Sequence, residues 1–336
     1  MEQFNDPQFS VITLTAALND QPFVPGQIGA LGIFEEDGVN VTTIEIEEEN
    51  GALNLIEPTP RGAPGVTVGD STRTKIPFAM DHFEINDAVY ADEVQGVRQL
   101  GSNDDLETIQ SRIDSKQVRH ARAMDNTLEH YRIGAIKGLI VSKSGKVLHN
   151  LYDRFNIAVP ASVALGIGAG DVANLGKLIK DSVVFPIEDA LDEGYGGLHA
   201  MCGRDFHSYL WGQKAVRETF LNTTGASVLR DGIPDRFEFG GVVWERYRTG
   251  GKAKAANSDT AYIADGEARV FPLGVPDMFL TRFGPADYEE TVNTIGLPRY
   301  ARQYPMANGK GRHLDAQMNV INLCTRPAAL RKLTVA

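Results

Sequence analysis

The 336-residue chain is 42% hydrophobic and 23% charged, with 34 glycines and 16 prolines, a composition that excludes a disordered or fibrous polypeptide and allows one large core or two moderate ones. Its formal net charge of −11 arises from 33 Lys and Arg against 44 Asp and Glu, and the whole imbalance lies in the first 60 residues, which hold eleven acids and no Lys, Arg or His. Such a segment repels phosphate, so direct gripping of nucleic acid by this part of the chain is excluded.

The eleven acids are Glu2, Asp6, Asp20, Glu35, Glu36, Asp37, Glu45, Glu47, Glu48, Glu49 and Glu57. Two readings stand for them: a solvated face, or an arm that lies on a basic patch of a neighbouring subunit. No long uncharged apolar run occurs, and Met1 to Ser10 lacks the basic start and apolar block of a secretory signal. The expectation is therefore no membrane span, no export, and synthesis in a cytoplasm. Cys202 and Cys324 are the two cysteines, too few for a disulfide framework and best read as small buried thiols.

In chain order, residues 1–34 have apolar stretches at Ser10 to Leu18 and Ile28 to Phe34, interrupted by Pro22, Pro25, Gly26, Gly29 and Gly32, which predicts an extended arm. Val39, Val41, Ile44 and Ile46 alternate with polar residues, then Asn50-Gly51 and Leu53, Leu55 and Ile56 follow, the pattern of a strand, a tight turn and a returning strand. Pro58, Pro60, Gly62, Pro64, Gly65 and Gly69 come next, and Thr74 to Ile85 is again strand-like. Residues 50–88 thus predict a protruding β-loop with little core of its own, which needs a partner surface to hold its shape.

After Gly101, the caps Ser102, Asn103 and Asp104 open the strongest helix. Its apolar stripe runs Leu106, Ile109, Ile113, Gln117, Ala121, Met124, Leu128, Tyr131 and Ala135, and the spacing predicts core packing rather than a cofactor groove. Arg112, Lys116, Arg119, Arg122 and Arg132 are expected on the outer faces beside Asp114, Asp125 and Glu129, free to pair ionically. Lys143-Ser144-Gly145-Lys146 marks a turn between short strands at Gly138 to Val141 and Val147 to Tyr152. Residues 155–275 predict a second domain with helices at Gly170 to Lys180 and Gly203 to Thr219 and strands at Phe237 to Trp244, Thr260 to Ala264 and Glu267 to Phe271. Met318 to Cys324 has apolar residues on both parities, as in a strand buried on both faces.

Few motifs carry chemistry. Gly168-Ala169-Gly170-Asp171-Val172-Ala173 matches G-x-G-x-x-A, with Glu188 and Asp189 where a ribose-binding acid would lie, but no further strand–helix–strand units surround it. The alternative is a helix entered through flexible glycines. Gly69-Asp70-Ser71 resembles the nucleophile block of one class of serine hydrolases, yet none of the seven histidines has an Asp three residues before it, so a polar loop tip is the better reading. His199, Cys202 and His207 lack a fourth ligand at a recognised spacing for structural zinc. Lys252 and Lys254 read as a surface tip. No catalytic, cofactor-binding or metal-ligating residue is assigned.

The order of parts resembles the major capsid protein E family of tailed phages, the group that includes the phage lambda head protein. The resemblance is carried by Thr72-Arg73-Thr74-Lys75-Ile76-Pro77-Phe78, His82 to Asn86, the helix opening Asn103-Asp104 and Gly134 to Asn150. It continues through Arg299-Tyr300-Ala301-Arg302-Gln303-Tyr304-Pro305, His313, Asn319-Val320-Ile321-Asn322 and Arg326-Pro327. It implies an α+β Hong Kong 97-type capsid fold, with residues 1–49 the N-terminal arm and 50–88 the extended loop. Residues 89–154 would be a peripheral domain with a spine helix at 103–137, 155–275 an axial domain, and 276–336 a return to the peripheral domain. Some relatives cross-link a lysine of the extended loop to an asparagine of the next subunit. Lys75, the only lysine before Lys116, is the one candidate here and is read as a plain ionic contact.

The function implied is a major capsid protein assembling into hexamers and pentamers of an icosahedral head, not an enzyme. Its partners would be itself, separate scaffolding, portal and decoration proteins, and packaged double-stranded DNA held without sequence-specific contacts; no cofactor and no membrane enter. A separate scaffold is expected because no long helical segment precedes the arm. Two alternatives are a bacterial nanocompartment shell of the same fold and a dinucleotide-dependent enzyme.

Overall fold

The computed structural model describes residues 11–19, 26–49, 73–94, 109–191, 193–221, 234–248 and 262–336. Of these, the residues up to 44, 78–132 and 280–322 form one compact unit, and 45–77, 133–279 and 323–336 form another.

In the first unit, α1 (Val11–Asn19) is a helix where the sequence predicts extended chain. The nine residues contain neither Gly nor Pro, and Leu14 and Leu18, four apart, fall on one buried face. A short α2 (Gln27–Ala30) and strand β1 (Glu35–Gly38) follow. Then β2 (Thr43–Glu49) pairs with β3 (Arg73–Ala79), residues 45–49 and 73–77 of the pair being counted with the other unit; the expected turn at Asn50-Gly51 and the returning strand at 53–56 lie outside the described residues. The chain continues through β4 (Asp81–Tyr90) and α3 (Ala91–Val94) to α4 (Ile109–Lys137), whose 29 residues make a rod of about 43 Å. From Ile113 on the predicted stripe holds: Ile113, Gln117, Ala121, Met124, Leu128, Tyr131 and Ala135 are all buried, while Leu106 lies outside the described residues. The helix caps at 102–104 lie outside the described residues.

Ile113, Ala121, Met124, Leu128 and Tyr131 of this stripe pack on a five-stranded sheet. Its central strand is β14 (Gly311–Cys324), with β12 (Phe279–Phe283) and β13 (Tyr300–Pro305) along one edge, β4 along the other, and β1 parallel to β12. Residues 316–324 of β14 are buried without a break, as the two-parity pattern predicts. Phe83, Ile85, Ala301, Ala316, Met318 and Val320 meet Ala121, Met124 and Leu128 of α4 and Leu14 and Leu18 of α1 in one core.

In the second unit, β5 (Leu139–Val141) and β6 (Val147–Asn150) form the expected hairpin, with Gly145 at φ 83° in its turn. α5 (Leu151–Arg154) and the two-residue β7 (Val163–Ala164) come next. α6 (Leu175–Ile179) continues through a π-turn at Lys180–Val184 into α7 (Phe185–Glu188), so this helix starts five residues later than predicted. After β8 (Gly197–Cys202), the single helix expected at 203–219 is two, α8 (Arg204–Gly212) and α9 (Lys214–Leu221), broken at the extended Gln213. The strand expected at 237–244 is a hairpin, β9 (Arg236–Phe239) and β10 (Val242–Arg246), because Gly240 and Gly241 take φ of 67° and 85°. No strand forms over the described residues 262–264. β11 (Glu267–Leu273) instead pairs with β8 and with the C-terminal β15 (Arg331–Thr334), giving the order β7-β15-β11-β8-β10-β9. Phe206, His207 and Trp211 of α8 cover one face of this sheet against Trp244 and Phe237.

Candidate functional site

The enzyme-like motifs do not assemble. The glycines at 168 and 170 follow a two-residue edge strand and precede no helix until Leu175, so no helix N-terminus faces them. Gln213 occupies the loop instead: its Nε2 donates to the carbonyls of Ile167 (3.1 Å) and Gly170 (2.9 Å), and its Oε1 accepts from Val172 N–H. Of these groups a dinucleotide phosphate could use only the Val172 N–H, and Gln213 already takes that donor. His199 and Cys202 are three apart on β8 and so project to opposite sheet faces, while His207 sits on α8; the three are not brought together. Both cysteines are buried free thiols, and burial pushes Cys324 up to about 12. The Gly69-Asp70-Ser71 and Lys252/Lys254 segments lie outside the described residues. Among the described residues, no helix is long and apolar enough to cross a membrane.

Lys75 is exposed on β3, and its Nζ meets Glu45 Oε2 of β2 at 3.0 Å. Both groups are mostly in solvent, so the pair contributes little to stability.

The more informative charges are those that sequence reasoning put in solvent and the structure buries. Asp125, Glu129 and Arg132, spaced four and three apart, form a second buried face of α4. Asp125 Oδ1 receives Arg299 Nη2 at 2.5 Å, while Arg299 Nη1 donates to the Leu18 carbonyl at the end of α1. Glu129 accepts the N–H groups of Ile28 (2.8 Å) and Gly29 (3.0 Å), and Gly26 is required beside it, since a Cβ there would lie 2.1 Å from the carboxyl carbon. Arg132 meets Glu36 at 2.5 Å and lies over the Phe34 ring. This face and its Arg299 partner therefore hold Leu18, Ile28, Gly29, Phe34 and Glu36 against α4. No local signal marks it, because its partners are 96 to 174 residues away in sequence.

Further along the same helix, Asp87 of β4 draws Lys116 (3.1 Å), Arg119 (2.6 Å) and His120 (3.0 Å). Burial alone would raise its carboxyl, but the Ala88 N–H and the bonds from Lys116 and His120 outweigh this and hold it far below the usual carboxylate range.

The other face of the sheet is polar. The registers Asn86↔Asp315, Glu84↔Gln317 and Arg302↔Asp315 put these side chains on one side, opposite Phe83, Ile85 and Ala316. The Asn86 amide, its nitrogen turned toward them, donates to Glu84 Oε1 (3.1 Å) and Asp315 Oδ1 (2.8 Å). Gln317 Nε2 donates to Asp287 Oδ1 at 2.5 Å. Burial, then the Glu84 charge, raises the Asp315 carboxyl.

Both units are thus held by packing and structural ion pairs, and no reacting constellation stands among the described residues. Comparison with known proteins gives the same picture. A family model described as phage major capsid protein E matches residues 10–335. The major capsid protein of Pseudomonas phage KPP10 is 27% identical over 344 residues, covering 96% of each chain. That of Salmonella phage Felix O1 is 24% identical over 367 residues, covering 96% of this chain and 95% of its own. Among solved structures, the capsid of cyanophage P-SCSP1u matches with a TM-score of 0.52 at 10% identity over 90% of this chain and 86% of that one. A candidate capsid protein from a prophage of E. coli CFT073 matches with a TM-score of 0.59 at 10% identity over 97% and 99%. At that identity the structural likeness carries the fold alone, which is the α+β Hong Kong 97-type expected from the sequence. The match of the family model from residue 10 to residue 335 carries membership: the chain belongs to the phage major capsid protein E family.

Proposed function

We propose that this chain is the major capsid subunit of a tailed phage, many copies of which close into an icosahedral head of hexamers and pentamers around the genome. The observation that carries this reading is the end-to-end family match. The fold supports it, since a chain without a reacting constellation among its described residues and with a 29-residue rod and an open polar sheet face suits packing against copies. The role is structural rather than catalytic. In this reading residues 1–49 are the arm, 50–88 the extended loop, 103–137 the spine helix within a peripheral domain of 89–154, 155–275 the axial domain and 276–336 the return. Separate scaffolding, portal and decoration proteins accompany the shell, the DNA is packaged without sequence-specific contacts, and assembly takes place in the host cytoplasm.

Negative-stain electron microscopy of the purified full chain, expressed with and without the neighbouring genes, tests this. Closed particles or capsomer rings are expected. Dispersed single subunits at high concentration in both preparations would refute it.

A further inference from the structure

The polar face of the β4–β14–β13 sheet gathers more negative charge than it balances. Glu84 and Asp315 are bridged by one neutral amide, that of Asn86. Asp287 adjoins them through Gln317. Arg302 is turned to the Tyr288 ring (5.2 Å) and to Glu290 (3.9 Å), and the His82 imidazole stands 3.9 Å from Glu84. A separate observation marks this place. Tyr288 is 4% exposed and its hydroxyl has no hydrogen-bond partner, although buried polar atoms are nearly always satisfied. Burial, then the charges of Asp315, Asp287 and Glu84, raises that hydroxyl above the usual phenol range.

We propose that this face receives a lysine ammonium from a second copy of the chain. The inference rests on the shell reading, which makes another copy the partner at hand. An ammonium has three donors and no acceptor, which suits the two carboxylates and the orphan phenol oxygen. A metal ion suits them less: divalent ions need a close shell of oxygens, and no three His, Cys, Asp or Glu side chains converge in that way among the described residues. Lysines able to serve are on the same chain. Lys146 in the β5–β6 turn and Lys177 and Lys180 on the α6 segment are exposed and form no ion pair among the described residues. Each copy therefore carries both halves of a head-to-tail contact, the kind that closes rings.

Zero-length cross-linking tests the contact. Particles assembled from an equal mixture of unlabelled and isotope-labelled full chain are treated with a water-soluble carbodiimide. The reagent joins a carboxylate to an amine as an amide and takes up the water lost as its urea. Expected are mixed-isotope links from peptides containing Glu84, Asp287 or Asp315 to peptides containing Lys146, Lys177 or Lys180. Glu84→Gln combined with Asp315→Asn should raise the critical concentration for assembly by about tenfold, with a thermal melt no lower than that of the parent. Assembled particles without such links, or a double variant that assembles like the parent, would overturn the proposal. So would assembly abolished by EDTA and restored by calcium, which would put a metal on this face. A parent chain that never associates sinks the shell reading with it; an assembled parent without the links sinks this inference alone.

Discussion

Glu129 illustrates how single side chains hold this molecule. Its carboxylate takes two backbone N–H groups near Gly26, so Glu129→Ala leaves two donors without their acceptor, that of Ile28 buried and that of Gly29 half-buried. We expect a loss of about 1–3 kcal/mol, read as a lower urea midpoint at unchanged slope; a midpoint equal to the parent's would contradict the clamp. The Arg299–Asp125 pair is buried on both sides, and Asp125→Ala, which strands the guanidinium, should cost about 3–5 kcal/mol. A urea titration showing less loss for Asp125→Ala than for Glu129→Ala would argue against that ranking. His207 adds a pH dependence. Burial, then the nearby Arg246 charge, pushes its imidazole from 6.5 down to about 4. The unfolded chain takes up the proton first, so the stability this residue contributes is complete above pH 6.5 and is lost as pH falls toward 4. His207→Phe should flatten the dependence of the melting temperature across that window, and an unchanged slope would contradict the assignment.

At the scale of elements, the Gly240-Gly241 turn can be tested directly. A Cβ at Gly241 meets nothing within 4 Å, yet φ is 85°, so Gly241→Ala should cost about 1–2 kcal/mol through backbone strain alone, with Gly241→Asn milder. Equal urea midpoints for the Ala variant and the parent would contradict the turn. This hairpin also shows where sequence reading fails. Phe237, Phe239, Val242, Val243 and Trp244 look like one apolar strand, and the adjacent glycines were the signal that could have divided it. The α4 stripe and the β14 run were legible because their periods, near 3.6 and without alternation, are local properties of the sequence. The second face of α4 was not, since Asp125, Glu129 and Arg132 become buried only when Leu18, Ile28, Gly29 and Glu36 arrive from far upstream. β11 was found as a strand, but its partners β8 and β15 lie more than 50 residues off on either side.

For the whole molecule, the sequence allows an arm that lies on a neighbouring subunit and predicts a loop that needs a partner surface. Residues 11–19 and 26–38 do not behave so: α1 shares a core with α4, β1 pairs with β12, and Glu35 and Glu36 meet Arg282 and Arg132 of the same unit. The acidic surplus is thus partly neutralised at home, and lack of internal support is too strict a sign of a shell subunit. What remains for a neighbour is the uncompensated polar sheet face and the exposed lysines of the second unit. The resemblance read from the C-terminal run was legible in advance; the polar cluster beside Tyr288 was not, because it depends on the strand register of residues 84–86 with 315–317 and on the Gln317–Asp287 bond.

Sedimentation velocity of the full chain over a wide concentration range measures the central claim most directly. The account predicts boundaries far above the 36.6 kDa protomer, moving to capsomers and then particles as concentration rises. A single boundary at the protomer mass throughout that range would contradict it.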